Sequence, residues 1–395
     1  MRKGIFAAHK FICMSFKALG LPQGLVNHLE KNHFTKPTPV QEAAIPAVLK
    51  GGDVLGIAPT GTGKTAGYVL PLLHRYEREV LNNRHVNVLI LVPTRELAIQ
   101  VDEVLQVFTQ GLKEPLKTMA VHGGKSINLQ MMKMNRVSIL VATPGRLLDL
   151  VRNKAVHLDE VKTFVLDEAD KLLNLGFQDE LKEILELLPK KRQNLLFSAT
   201  LSSSVEDITQ MLLHEPQVIE MPDAPVQERL IREYGFRVSK DQKGVLLREI
   251  ILRNAFPSVL IFTSSTHQAD HVTSKLERNG IKASAIHGKK SQGARDSALK
   301  AFKNGELQVL VATDLLARGV DIKGLSAVIN YELPRSPKDY THRIGRTGRA
   351  DATGEAFSLI TEEDEQHFRV IQKKAKKWAE MVDGQAFLEL KSKPE

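Results

Sequence analysis

Short runs of Val, Ile and Leu recur along this chain, separated by longer segments that mix polar and apolar residues. A run apolar at every position is a strand covered on both faces, and the intervening segments have the length of crossover helices. The pattern therefore demands parallel sheets with helices on either side. The predicted strands of the first half are Val54–Ala58, Val86–Val92, Ile139–Ala142, Phe164–Leu166 and Leu195–Phe197. Those of the second half are Val259–Phe262, Ala283–Ile286, Val309–Ala312, Ala327–Asn330 and Ala356–Leu359. Between them, Pro216 to Pro225, punctuated by Pro222-Asp223-Ala224-Pro225, reads as an interdomain linker. The chain's 395 residues also exceed what a single core usually serves, roughly 250 to 300. Two α/β domains are expected. Leu140-Val141-Ala142-Thr143 and Leu310-Val311-Ala312-Thr313, each followed by an Arg-containing turn, point to duplication. In open α/β sheets ligands bind outside the carboxyl ends of the strands, so the polar clusters there are where function is sought.

Hydrophobic content of 42% and charged content of 26% exclude disorder as the main state. The chain has no apolar run of about 18 residues, and His9-Lys10 interrupts the apolar start before it could act as a signal peptide. Cys13 is the only cysteine, which excludes an intrachain disulfide and a cysteine-based zinc site and fits a reducing, cytoplasmic compartment. The net charge of +9 suggests a polyanionic partner. Lys and Arg balance Asp and Glu, 23 against 23, over residues 14–222, but exceed them, 22 against 15, over residues 223–360. Residues 361–395 carry 7 against 8. The excess thus lies in the second domain rather than in a basic tail.

After the first strand comes Ala58-Pro59-Thr60-Gly61-Thr62-Gly63-Lys64-Thr65, then a helical pattern. Glycines let backbone N–H groups converge on a phosphate, and the helix N-terminus adds its positive dipole. Lys64 would reach the terminal phosphates and Thr65 would bind Mg²⁺. Ala58 stands where the usual pattern has Gly, and a Gly-rich surface turn is the alternative. Phe164-Val165-Leu166 leads into Asp167-Glu168-Ala169-Asp170. Asp167 is placed to hold the metal and Glu168 to orient or deprotonate an attacking water.

These residues resemble the DEAD-box RNA helicases, named for that acidic tetrapeptide, from about residue 16 to residue 360, and most resemble the bacterial RhlE-type branch. The resemblance implies two tandem RecA-like domains, each a parallel sheet flanked by helices, with the ATP site in the interdomain cleft. The implied boundaries are 14–219 for the ATP-binding domain, 220–226 for the linker, 227–365 for the second domain and 366–395 for a helical tail. Met14-Ser15-Phe16 looks like a natural start, making residues 1–13 an extension. Phe34-Thr35-Lys36-Pro37-Thr38-Pro39-Val40-Gln41 is similar to the family's adenine-reading motif, with His33 in place of the usual Gly. It implies that Gln41 reads the adenine edge, that Pro39 belongs to the nucleotide site, and that Phe16 stacks on the ring. Read without the family, Phe16 is a core residue. The implied phosphate cradle runs Thr60, Gly61, Thr62, Gly63, Lys64, Thr65 and Ala66. Ser198-Ala199-Thr200 resembles the motif that couples the acidic cluster to closure through Asp170. In Tyr340-Thr341-His342-Arg343-Ile344-Gly345-Arg346-Thr347-Gly348-Arg349, Arg346 and Arg349 correspond to the arginine fingers and His342 to an interdomain link. Asp321 matches the ribose-contacting carboxylate.

The implied RNA contacts are Pro93, Thr94, Arg95, Gly123, Gly124, Thr143, Pro144, Gly145 and Arg146 in the first half, and Gln292, Arg295, Thr313 and Asp314 in the second. Hydroxyls, small residues and Arg suit phosphate and 2′-OH groups, which position a strand without reading its sequence. Arg95 has a structural ion pair with Glu96 as its alternative. The implied activity is RNA-stimulated ATP hydrolysis coupled to domain closure, strand bending and local, non-processive opening of short duplexes. A DNA-directed helicase and an ATP-gated RNA clamp are the alternatives. A monomer is expected, with ribosome-assembly or RNA-decay complexes as candidate partners. Lys373 to Lys377 read as a solvated helix on the second domain, with an RNA contact as the alternative.

Overall fold

The computed structural model describes residues 15–59, 61–78, 85–114, 116–221, 231–314, 325–348 and 353–390. Residues 1–13, Thr60, Asp321, Arg349 and most of the expected linker lie outside them. The chain divides into two compact units, Met1–Ala224 and Pro225–Glu395.

The first unit holds a seven-stranded sheet in the order β3-β4-β2-β5-β6-β1-β7. Its strands are β1 (Val54–Ile57), β2 (Val88–Leu91), β3 (Thr118–Val121), β4 (Ile139–Ala142), β5 (Thr163–Asp167), β6 (Gln193–Ser198) and β7 (Gln217–Glu220). The second unit holds β8 (Ile231–Arg237), β9 (Val259–Thr263), β10 (Ala283–Ile286), β11 (Val309–Thr313), β12 (Ala327–Asn330), β13 (Gly354–Ile360) and β14 (Glu380–Asp383). Their order is β10-β11-β9-β12-β13-β8-β14. Both sheets are parallel at every ladder between these strands.

The side-chain period of two explains the all-apolar runs. Val88 and Ile90 enter one core while Leu89 and Leu91 enter the other, on the opposite face. Val259 with Ile261, and Leu260 with Phe262, divide in the same way. Helices cover both faces, so no position on these strands can be polar without a partner.

Numbering the strands within each unit gives one and the same order, third-fourth-second-fifth-sixth-first-seventh. The echo noted in the sequence falls on equivalent strands, since Leu140 lies on β4 and Leu310 on β11. Two expectations are corrected. Four residues of the Pro216–Pro225 segment read as linker, Gln217–Glu220, are the edge strand β7, paired with β1. The expected helical tail holds a helix, Glu365–Ala375, but then supplies β14, which pairs with β8. No described helix is long and apolar enough to cross a membrane.

Gly56 lies in β1 beside Phe197 of β6. A Cβ there would stand 2.5 Å from the Phe197 ring, which is fully buried and packs on Tyr68 at 5.2 Å between centroids. Gly56→Ala should destabilise the first unit by about 1–3 kcal/mol, the usual range for overpacking. Thermal unfolding followed by circular dichroism measures this, and an unchanged midpoint would show that the ring yields freely.

Candidate active site

Apart from Phe16 and the Phe34–Gln41 segment, which precede β1, the clusters named from the sequence in the first unit sit at or beyond the carboxyl ends of strands, and the strand order sorts them. Beyond β3, β4 and β2, which are neighbours, come Gly123-Gly124, Thr143-Pro144-Gly145-Arg146 and Pro93-Thr94-Arg95. Beyond β5, β6 and β1 come the acidic turn, Ser198-Ala199-Thr200 and the phosphate loop. The acidic turn therefore stands at the seam, because β5 adjoins β2 on one side and β6 on the other.

The phosphate loop turns on Gly61 and Gly63, at φ of 82° and 95°, left-handed backbone that favours glycine. The loop is pinned from the adenine-motif side. Thr38 Oγ1 donates to the Thr62 carbonyl at 2.8 Å, and Gln41 Nε2 donates to the Gly63 carbonyl at 3.0 Å. Gln41 Oε1 meanwhile accepts from the Thr38 N–H at 3.0 Å, closing a capping box on the helix Pro39–Leu49, with Pro39 at its first position. A primary amide has two N–H groups and two lone pairs. Gln41 thus clasps the loop and keeps one donor and one acceptor for an adenine edge. His33, in the place where the family has Gly, takes φ of 64°, so the left-handed turn is kept at a steric cost of about 1–2 kcal/mol. Phe16 is only 2% exposed and packs in the first hydrophobic core. That is its reading as a core residue, not as a presented stacking platform.

Behind the loop lies a buried charge cluster. Lys64 Nζ donates to the Ala58 carbonyl at 2.6 Å, so the amine occupies the loop's own oxygen. Burial pushes its pKa down, against the opposing pull of Asp167, Glu168 and Asp170. Asp167 accepts from the Tyr68 hydroxyl at 2.8 Å and from the Glu168 N–H at 2.8 Å. Burial raises the pKa of both Asp167 and Glu168. Glu168 has left-handed backbone, φ 52°, and its Oε1 accepts from Lys171 Nζ at 2.6 Å. Its Oε2 is buried with no hydrogen-bond partner. Thr200 Oγ1 donates to Asp170 Oδ2 at 3.2 Å. Ser198 bonds the Thr200 carbonyl at 2.9 Å rather than Asp170. Thr65 and Ala66 open the helix Lys64–Arg78. Three carboxylates face two lysines here, and the Asp167 carboxylate and Thr65 hydroxyl are hard oxygen donors of the kind Mg²⁺ takes.

On the other side of the seam, Thr94 caps the helix Arg95–Thr109, accepting from the Leu97 N–H at 3.3 Å. Arg95 lies against Gly123, where a Cβ would come within 3.0 Å of its guanidinium. Arg146 donates to the Lys125 carbonyl at 2.9 Å. Thr143 is buried, Pro144 starts the next helix, and a Cβ at Gly145 would meet nothing within 4 Å.

In the second unit, Thr313 ends β11, and Asp314 is paired with Arg343 by two bonds of 2.6 and 2.7 Å. Arg343 also donates to Asn330 Oδ1 at 3.1 Å and the Glu332 carbonyl at 2.7 Å, over the face of Phe262. It clasps the helix Pro337–Ile344, which carries His342, to β9, β11 and β12, and Arg346 follows that helix, largely buried. Gln292 and Arg295 are also buried, Arg295 donating to Gln292. Sequence reasoning missed Tyr68, Lys171 and Arg343 as site residues. The spacing of Tyr68 from Lys64, and of Lys171 from Glu168, was a helical signal for the first two.

Residues 38–208 match the DEAD/DEAH box helicase family, and residues 242–351 the helicase conserved C-terminal domain. ATP-dependent RNA helicase CshA of Listeria monocytogenes is 38% identical over 363 residues, covering 92% of this chain and 69% of that protein. DEAD-box ATP-dependent RNA helicase RhpA of Helicobacter pylori is 38% identical over 349 residues, 88% of this chain and 70% of its own length. Among solved structures, Saccharomyces cerevisiae Dbp5 bound to RNA and ADP BeF3 is similar with a TM-score of 0.82 at 30% identity, covering 95% of this chain and 97% of that one. These matches name no branch of the family. With the phosphate loop and the acidic turn inside the matched residues 38–208, and relatives 38% identical over most of the chain, the chain belongs to the DEAD-box family of ATP-dependent RNA helicases.

Proposed function

We propose that the chain hydrolyses ATP in an RNA-dependent manner and uses the cycle to open short duplexes locally or to remodel RNA–protein complexes. The position of the acidic turn carries this reading. It has the phosphate loop and Ser198-Ala199-Thr200 on one side and the Pro93-Thr94-Arg95 turn on the other. A strand lying beyond β3, β4 and β2 would press on groups one strand away from the reacting phosphate.

In this reading Gln41 reads adenine, and Lys64 leaves the Ala58 carbonyl for the β- and γ-phosphates. Thr65 and Asp167 would hold Mg²⁺, which when bound neutralises charge on the phosphate oxygens. Glu168 Oε2, the carboxylate oxygen left without a partner, accepts the proton of the attacking water. Lys171 fixes the other oxygen of that carboxylate, and Thr200 ties Asp170 to the β6 turn. Arg346 and Arg349 of the second unit stabilise charge on the transferring phosphoryl group, His342 links the units nearby, and Asp321 takes the ribose. RNA is gripped through phosphates and 2′-OH groups. A cytoplasmic location and a monomeric state belong to the same proposal, as do ribosome-assembly or RNA-decay complexes as the setting.

Glu168→Gln should lower RNA-stimulated turnover by at least about 10²-fold while ATP binding survives. Phosphate release and nucleotide titration measure the two, and near-parent turnover would remove Glu168 from its role. Arg346→Ala should reduce turnover by on the order of 10³-fold, and full retained turnover would show that the second unit does not complete the site. Lys171→Met should lower kcat about tenfold with little change in KM for ATP, the signature of a group that acts on the transition state. Lys171→Arg should restore part of it. Equal losses in both variants would mark Lys171 as a folding residue only.

A further inference from the structure

Trp378, the chain's one tryptophan, is 73% exposed. An indole is a large apolar surface that folding usually covers, and leaving it in water at the end of a lysine-rich stretch requires an explanation. It lies between the helix Glu365–Ala375 and β14. Lys373, Lys374 and Lys376 just before it are exposed too and have no ion-pair partner among the described residues. Lys377 is different, since it bonds Glu233 at 3.2 Å, and is not counted with them.

The last turn of a helix favours cations, and that alone would account for Lys373 and Lys374. It does not account for Lys376, which lies past the last helical residue and takes left-handed backbone, φ 53°, where glycine is the usual choice. Nor does it account for the indole. The Lys377 N–H donates back to the Gln372 carbonyl at 3.2 Å, so the turn is closed and built. Its Lys377–Glu233 anchor and the pairing of Glu380 with Tyr234 on β8 hold the turn on both sides of Trp378.

We propose that Trp378 with Lys373, Lys374 and Lys376 is a second contact for single-stranded RNA, the indole stacking on an unpaired base and the three ammonium groups meeting neighbouring phosphates. This rests on the RNA-helicase reading. An exposed ring that offers a face, flanked by unpaired cations within a few residues, is what a strand of negative charge and stackable bases is complementary to. The contact lies apart from the strand-end candidates of the second unit. β14 runs parallel to β8, and Trp378 precedes it, so the turn lies at the amino ends of the strands, whereas Thr313 and Asp314 lie at the carboxyl end of β11. β14 is also the edge strand farthest from β10 in the sheet order. An RNA held here would be a flanking segment, gripped whether or not nucleotide is bound. An acidic protein segment is the competing occupant, and the lysines alone would admit it. The stacking face favours RNA.

Because Trp378 is the sole tryptophan, its emission reports the site directly in the unmodified full chain. A single-stranded oligouridylate, titrated without nucleotide, should quench it saturably, with a midpoint that weakens as salt rises. Binding of the same oligomer, followed by anisotropy of a labelled copy, should weaken on the order of tenfold in Trp378→Ala and be retained in Trp378→Phe. Replacing Lys373, Lys374 and Lys376 together by Gln should lower the slope of log affinity against log salt by about 2. Unchanged emission while the labelled RNA binds would overturn the proposal and leave the helicase reading intact, as would quenching by polyglutamate but not by RNA. Absence of both RNA binding and RNA-stimulated ATP hydrolysis would overturn the two readings together. All these residues are exposed, so the variants should fold.

Discussion

Five buried charges, Lys64, Asp167, Glu168, Asp170 and Lys171, meet where β1, β5 and β6 end. Taking such groups out of water is unfavourable by several kcal/mol each unless they are paired and hydrogen-bonded. The surrounding structure supplies those partners, among them Tyr68 behind Asp167 and Thr200 on Asp170. Lys64 rests on the Ala58 carbonyl and Lys171 on Glu168. What remains unsatisfied is one oxygen on each of Glu168 and Asp170. Buried polar atoms without partners are uncommon, and in the function proposed above the Glu168 oxygen is the one left for the attacking water.

The duplicated strand order shows how one architecture serves two tasks. In the first unit the turn after the first strand is the phosphate loop. In the second, the corresponding strand β8 leads to no such loop, and the charged groups gather instead around Arg343 and the helix Pro337–Ile344. Arg343 does for that helix what Gln41 does for the phosphate loop. A buried side chain with several hydrogen-bonding groups fixes a segment whose neighbours must face a ligand. Positioning residues of this sort sit within the motifs yet take no part in the chemistry, which is why Arg343 was passed over between His342 and Arg346.

Most central strands are legible because burial on both faces makes them uniformly apolar, and most motifs are legible because they follow such a strand. β8, Ile-Arg-Glu-Tyr-Gly-Phe-Arg with only Gly235 and Phe236 buried, lies inside its sheet and is not legible. Nor are the edges. β7 reads Gln-Val-Ile-Glu with only Ile219 buried, and β14 reads Glu-Met-Val-Asp with none of its residues fully buried. Edge strands cover one face and show no apolar run, so by sequence β7 reads as linker and β14 as helical tail. Phe16, Gln292 and Arg295 were named from resemblance, which specifies a residue but not its burial, and all three are buried. Trp378 stood outside every motif, and only its exposure and the lysines left unpaired around it give it a reading.

The account rests on RNA lying one strand away from the phosphate site and governing hydrolysis there. The most direct measurement is steady-state ATP hydrolysis by the unmodified chain, alone and with matched single-stranded RNA and DNA oligomers of one sequence. The account predicts slow turnover alone, strong stimulation by RNA and little by DNA, because 2′-OH groups form part of the contact. Equal stimulation by the two, or turnover indifferent to both, would contradict it.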